Sequence, residues 1–377
     1  MVWAVTLAVL RLFVVLPERC PSPAAGGLRA AAAGTVDWFA TNQRTDGRWL
    51  YLWREDGGET AAPYSIVRHA GVTMALYQAA AAGFDAALPV ADQGTAYALR
   101  RLVPTGTGAS AFALREEPVQ TGATALLAAG LVERREALGD DRHDRTLVRL
   151  GRFLAGQVEP GGAVAAYWSP ATEAPVPGQY SKYYTGEAFW ALGQLASAFP
   201  GEGFEEAAAA AGRYIATERD DAEAHFPPVP DHWAGYGLDD LERVSALGEA
   251  EVAYARRLAG LLGVQARGES QRRADGWARL VRGSFARAGG LGTLGEGLGG
   301  LWRLAGRDAR LAGERATIGE RILCVAGMLT DRQVRPPAEP EVAGAWISRG
   351  ETRMDDQQHG LSSLLAALDV LAERGDT

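Results

Sequence analysis

Two kinds of helical pattern alternate along this chain. In one, charged residues recur at helical spacing between apolar ones, over 28–43, 89–102, 144–157, 204–217, 249–264 and 309–329. In the other nearly every position is apolar, over 67–82, 121–131, 186–198, 234–247, 294–304 and 360–371. The first pattern predicts amphipathic helices with one face in water, and the second predicts helices buried on almost all sides. Each apolar stretch is entered through a polar, turn-rich junction, among them Tyr183-Tyr184-Thr185-Gly186-Glu187, Asp231-His232-Trp233-Ala234-Gly235 and Asp355-Asp356-Gln357-Gln358-His359-Gly360. Such self-similarity at a spacing of roughly 50–65 residues marks a repeat architecture. Six hairpins predict a closed ring, with the apolar helices around a cavity and the polar junctions gathered at one end. Extended pieces at 49–53, 164–168 and 345–347 read as short hairpin-like loops on that rim. Proline-rich stretches at 173–177, 226–230 and 335–340 read as connectors within the ring, so 28–377 is taken as one domain.

Composition narrows the function classes. The net charge is −8, Lys182 is the only lysine, and no basic run occurs, which argues against a nucleic-acid partner. Cys20 and Cys324 stand alone, without a CxxC or Cys/His cluster, so neither a zinc site nor a disulfide framework is expected. No other metal, cofactor or protein partner is indicated. Residues 1–16 are nearly all apolar but too short for a spanning helix. With the small residues at 22–27 they resemble a secretory signal, although Arg11 interrupts them and no basic residue precedes them. Residues 1–27 are therefore set apart as a signal peptide or N-terminal anchor. Either would place the protein outside the cell or at a membrane; without such a role it would be cytoplasmic.

Two hairpins match over a longer span, from Gln43 through Gly47 and Trp49 to Tyr64-Ser65, and from Gln157 through Gly161 and Trp168 to Tyr180-Ser181. The stretch Trp38-Phe39-Ala40-Thr41-Asn42-Gln43-Arg44-Thr45-Asp46-Gly47-Arg48-Trp49 resembles the QW motif of terpenoid cyclases. That resemblance implies a structural tie between an outer-helix end and the following turn, carried here by Gln43, Gly47 and Trp49 and by a degenerate copy at Gln157 and Gly161. The DxDD signature of those cyclases does not occur. Over 28–375 the pattern resembles the six-hairpin, all-α (α/α)6 toroids of glycoside hydrolases, polysaccharide lyases and sugar epimerases. The resemblance implies a carbohydrate ligand and a pocket at the N-terminal ends of the inner helices, where free N–H groups favour anions.

The junctions place a carbohydrate-active inventory there. A glycosidase needs one carboxyl kept protonated and one ionised. Glu187, one step into an apolar helix, suits the acid; Asp231 and Asp356 suit the base, with His232 and His359 as further proton carriers. Arg68 and Arg353 suit a uronate carboxylate. His69, Tyr183, Tyr184, Trp233, Asp355 and Gln357 complete the candidate binding set, with Trp49, Trp168, Trp233 and Trp346 as platforms for sugar rings. Glu296, in a glycine-rich helix, faces open space. Each residue also has a structural reading: Asp231, Asp355 and Asp356 as helix caps, the histidines as satisfied helix-end groups, the tryptophans as packing. Hydrolysis is the leading expectation, followed by epimerisation or β-elimination with Tyr184, His232 or His359 taking a C5 proton. Other readings are a non-catalytic glycan-holding protein and a terpenoid-cyclase relative.

Overall fold

A computed structural model describes residues 1–13, 16–106, 108–114, 118–223 and 228–376; the connector at 226–230 falls partly outside them. Helices and strands are numbered in chain order. Helix α1 (Val2–Phe13) precedes the ring. The outer shell is α2 (Ala25–Thr41), α4 (Ala87–Leu99), α6 (Asp144–Gly156), α8 (Phe204–Thr217), α11 (Glu249–Ser270) and α14 (Arg315–Arg332). The inner shell is α3 (Ile66–Ala81), α5 (Thr121–Leu138), α7 (Tyr184–Ala198), α10 (His232–Val244), α13 (Ala288–Arg307) and α15 (Met354–Arg374). Two short helices, α9 (Arg219–Ala222) and α12 (Gly276–Arg282), lie in connections. Each inner helix packs on the next, and α15 packs back on α3. The ring therefore closes, and the chain is an (α/α)6 toroid. Its core lies between the shells and around the inner helices, which are buried at almost every position.

Small antiparallel sheets decorate the rim at which the inner helices begin. Strands β1 (Leu52–Arg54) and β2 (Gly58–Glu59) form one hairpin, and β3 (Leu102–Pro104) and β4 (Ser110–Phe112) another. Strands β5 (Val119–Gln120), β6 (Tyr167–Ser169) and β7 (Ala174–Pro175) make a third sheet. The last, β8 (Glu351–Arg353), pairs with β1 in the register Leu52↔Arg353, which ties the final hairpin to the first. The expected extended pieces at 49–53 and 164–168 are thus present but shifted toward the C-terminus. Residues 345–347 form no strand; the Trp346 N–H instead donates to Gln357 Oε1 at 3.1 Å. Helix α13 starts before 294, at Ala288, and of its first glycines Gly292 packs so tightly that a Cβ would lie 2.4 Å from the His359 carbonyl.

The QW-like stretch has its expected structural role. Gln43 Nε2 donates to Val90 O at 2.9 Å, joining the end of α2 to α4, and Trp49 is buried against Gly94. The second copy is real but offset by one residue from the sequence alignment. The bridges Gln43↔Trp49 and Val158↔Val164 make Val158, not Gln157, the counterpart of Gln43. Gly162, not Gly161, then matches Gly47: both have positive φ and leave no room for a Cβ beside Gln93 O or Ala210 O. Gln157 is used differently, donating to Thr121 Oγ1 at 3.1 Å.

Cys20 and Cys324 form a disulfide, contrary to the sequence expectation. Their 304-residue separation hid a contact made because residues 16–21 run back over α14. Gly327 leaves the space that Pro21 O occupies.

A tight backbone-to-backbone contact joins α10 and α13. A Cβ on Gly235 would lie 2.5 Å from Gly297 O, and one on Gly300 2.5 Å from the Gly235 carbonyl. Backbone cannot give way there cheaply, so Gly300→Ala is expected to destabilise the fold by about 1–3 kcal/mol in chemical denaturation. Gly260→Ala on exposed α11, with nothing within 4 Å of the new Cβ, is expected to add up to about 1 kcal/mol.

Candidate active site

The inner-helix N-termini surround a cavity of about 730 Å³. Tyr184 and Glu187 of α7 line it together with His232 and Trp233 of α10. Asp355, Gln358 and His359 of α15 face them, with Arg68 of α3 beside Arg353 and Arg287. Helices α7 and α15 stand three places apart in a six-membered ring, so Glu187 and His359 occupy opposite walls.

Glu187 is buried, and one of its carboxyl oxygens has no hydrogen-bond partner. Gly122 on the neighbouring helix leaves it room. Burial first, and then the charge of Asp231, push its carboxyl up to about 8, so it is protonated at neutral pH. Burial and Glu187 likewise raise Tyr184, which keeps its proton.

On the opposite wall His359 Nδ1 lies 2.6 Å from Glu296 Oε2, while Gln358 Nε2 donates to Glu296 Oε1 at 3.0 Å. Burial opposes a charge on His359, yet the carboxylates of Glu296, Asp355 and Asp356 hold it above the ordinary imidazole range. His232 Nε2 is 3.7 Å from the same Glu296 oxygen, and the two imidazole rings stand edge-to-face at 5.4 Å. Burial, reinforced by His359, keeps His232 neutral. These three residues each present one ligand atom within 4.8 Å of the others, a donor set that suits a divalent metal. The short His359–Glu296 contact meanwhile gives that pair an acid–base geometry of its own.

Asp355 bridges Arg68 Nε at 3.1 Å and Arg353 Nη2 at 3.2 Å, and Arg68 also bonds the Tyr51 hydroxyl. These pairings leave Glu187 without an arginine partner among the described residues. Tyr183 lines the cavity from its exposed rim.

Four candidates lie behind the walls and do not face the cavity. His69 is enclosed by aromatic rings, with Nδ1 at 2.9 Å from the Tyr64 hydroxyl and Nε2 at 2.9 Å from Gly94 O; burial lowers it to about 4. Asp231 caps α10 by accepting from the Trp233 and Ala234 N–H groups, and it pairs with the buried Arg219. Asp356 accepts from the Arg353 and Gly289 N–H groups and pairs with Arg287 at 2.6 Å, joining the starts of α13 and α15. Gln357 is spent on Trp346 N and Arg353 O. The cap reading wins for both aspartates: Asp231 is the N-cap of α10, and Asp356, in the first turn of α15, reaches back to the N–H of its N-cap residue Arg353 in a capping box. Among the tryptophans only Trp233 reaches the cavity; Trp49, Trp168 and Trp346 are buried elsewhere. Glu296, given no role from sequence, orients the central imidazole. Its signal was the lone acid in the apolar 294–304 stretch.

No protein-family model and no curated sequence matches the chain. Solved structures do. An α-1,6-mannanase of Salegentibacter sp., in complex with α-1,6-mannotriose, superposes with a TM-score of 0.63 at 13% identity, covering 91% of this chain and 99% of that one. Cellobiose 2-epimerase from Bacillus thermoamylovorans gives 0.64 at 10% identity, covering 92% and 98%. An unsaturated glucuronyl hydrolase specific for heparin gives 0.64 at 11%, also covering 92% and 98%. At these identities the likeness establishes the fold.

Glu187 supplies a test of the site's electrostatics. An unfolded glutamate releases its proton near pH 4.5 and the folded one near 8, so between these values the folded state binds more protons and loses stability as pH rises. Glu187→Gln is expected to flatten that fall, by an amount on the order of a few kcal/mol at the alkaline end, in unfolding curves measured from pH 5 to 9.

Proposed function

We propose that this protein is a carbohydrate-active enzyme using opposed acid and base groups across a sugar-sized cavity. One observation carries the reading: the protonated Glu187 faces, across the ring, the His359 imidazole that Glu296 holds by Nδ1. Orientation by a carboxylate leaves the other ring nitrogen of His359 to exchange protons with a ligand. In hydrolysis Glu187 would protonate the glycosidic oxygen as the C–O bond breaks. His359 in its neutral form, made more basic by the carboxylates around it, would take a proton from the water that adds to the anomeric carbon. Asp231 and Asp356, first expected as the base, are occupied as caps, so this duty falls to the imidazole. Arg68, Arg353 and Tyr183 would bind the glycan's anionic or hydroxyl groups, with Trp233 beneath a ring.

A second reading has its own support. Two imidazoles 5.4 Å apart beside Arg68 and Arg353 suit removal of a proton α to a carboxylate or carbonyl and its return from Tyr184 or Glu187, which is epimerisation. The fold's likeness to both a hydrolase and an epimerase supports the class without choosing between them.

Incubating mannan- and uronate-containing oligosaccharides with the enzyme in deuterated water separates the two. New reducing ends without carbon-bound deuterium mean hydrolysis, and deuterium at a sugar carbon without cleavage means epimerisation. In either case His359→Asn and Glu187→Gln should lower kcat by about 10²–10⁴-fold, the usual worth of a positioned acid or base, with the fold intact. Dialysis against a chelator should leave turnover unchanged; loss restored by Zn²⁺ would reassign His232, Glu296 and His359 as a metal centre. Full activity in both variants would refute the proposal.

A further inference from the structure

The segment 264–282 carries five arginines against two acids, in a chain whose net charge is −8. Its short helix α12 turns Trp277 and Leu280 outward, 50% and 75% exposed. Residues 16–20 are fixed alongside. Gln271 Nε2 donates to Leu16 O at 2.7 Å, Arg273 Nη2 to Pro17 O at 2.9 Å, and the Arg19 N–H to Ser270 O at 2.9 Å. The disulfide of Cys20 then anchors this strap to α14. Helix α1, which ends at Phe13 shortly before this strap, also exposes large apolar side chains, including Trp3, Leu7 and Leu10.

Some of these charges are compensated, Arg267 by Glu18 and Arg272 by Glu269. Arg19, Arg273 and Arg279 make no ion pair among the described residues, and burial first, then the charge of Arg19, weakens the hold of Arg273 on its proton. Exposed apolar groups rimmed by uncompensated arginines are costly in water and suit an interface that is both oily and anionic. No described helix is long and apolar enough to cross a membrane, so the matching geometry is one that lies on the surface.

We propose that α12, the strap and α1 together form a docking face for an anionic lipid bilayer. Trp277, Leu280 and the apolar side of α1 enter the headgroup boundary, and Arg19, Arg273 and Arg279 meet lipid phosphates. The face is independent of the reaction catalysed in the cavity.

Co-sedimentation of the full chain with vesicles of phosphatidylglycerol and phosphatidylcholine, against pure phosphatidylcholine, tests this. Binding is expected with the anionic vesicles, weakened by high salt. Arg273→Gln and Arg279→Gln should each weaken partition about fivefold, matching ~1 kcal/mol per basic residue at an anionic surface. A Trp277→Ala, Leu280→Ser double variant should also weaken it while leaving the thermal midpoint in place. Three outcomes overturn the proposal: no binding to either vesicle, equal binding to both, or binding untouched by the α12 variants. Concentration-dependent dimerisation abolished by the double variant, without vesicle binding, would assign the face to a second copy of the chain.

Discussion

Six helices that are apolar all round can be buried together only if each is flanked on both sides by another, and that demand bends the chain into a ring. The outer helices satisfy it from behind, but the lateral contacts decide how close the inner helices come. Glycines facing backbone between α10 and α13, and facing carboxyl groups between α5 and α7, draw the inner ring tight. Tightness has an electrical effect. Water is squeezed from around Glu187, His232 and Glu296, so each titrates away from its ordinary range. The reactive character proposed for the cavity is thus a by-product of how the ring packs.

Charge is sorted within that dry surrounding. Carboxylates that begin helices are neutralised by backbone N–H groups and by arginines, as Asp231 and Asp356 show. Glu187 begins no helix in this sense, lies beyond the first N–H groups and finds no cation. Its neighbour Asp231 repels it, so holding its proton is the economical state. Burial pushes both acids up, but Asp231 has Arg219 and two backbone N–H groups to favour its charged form, and Glu187 has neither. The difference lies in whether a cap geometry is open to them.

The hairpin count, the two shells, the closed ring and the rim location of the junctions were legible from periodicity, because alternating amphipathic and apolar stretches leave few other ways to bury surface. Which junction residues face inward was not. Spacing places Glu187, Asp231 and Asp356 near helix starts, but Asp231 as N-cap and Asp356 in a capping box turn back onto the first backbone N–H groups, while Glu187, the fourth residue of α7, lies beyond them. The carboxylate on His359 was equally hidden, since Glu296 lies on another helix and only three-dimensional adjacency pairs them. The offset in the second QW-like turn arises because Gln43 and Gln157 match as residue types while the bridge register shifts by one. The cysteines were unreadable as a pair because nothing in a lone thiol's surroundings announces a partner at the far end of a chain.

That bond has a topological consequence. Stacked repeats ordinarily unravel from their ends, since a terminal unit has one neighbour fewer than the others. Here the segment entering the first hairpin is stitched to the last outer helix, and no hairpin is terminal in the covalent sense. Peeling away either end would mean dragging its opposite along, so an oxidised molecule is expected to melt as a single unit.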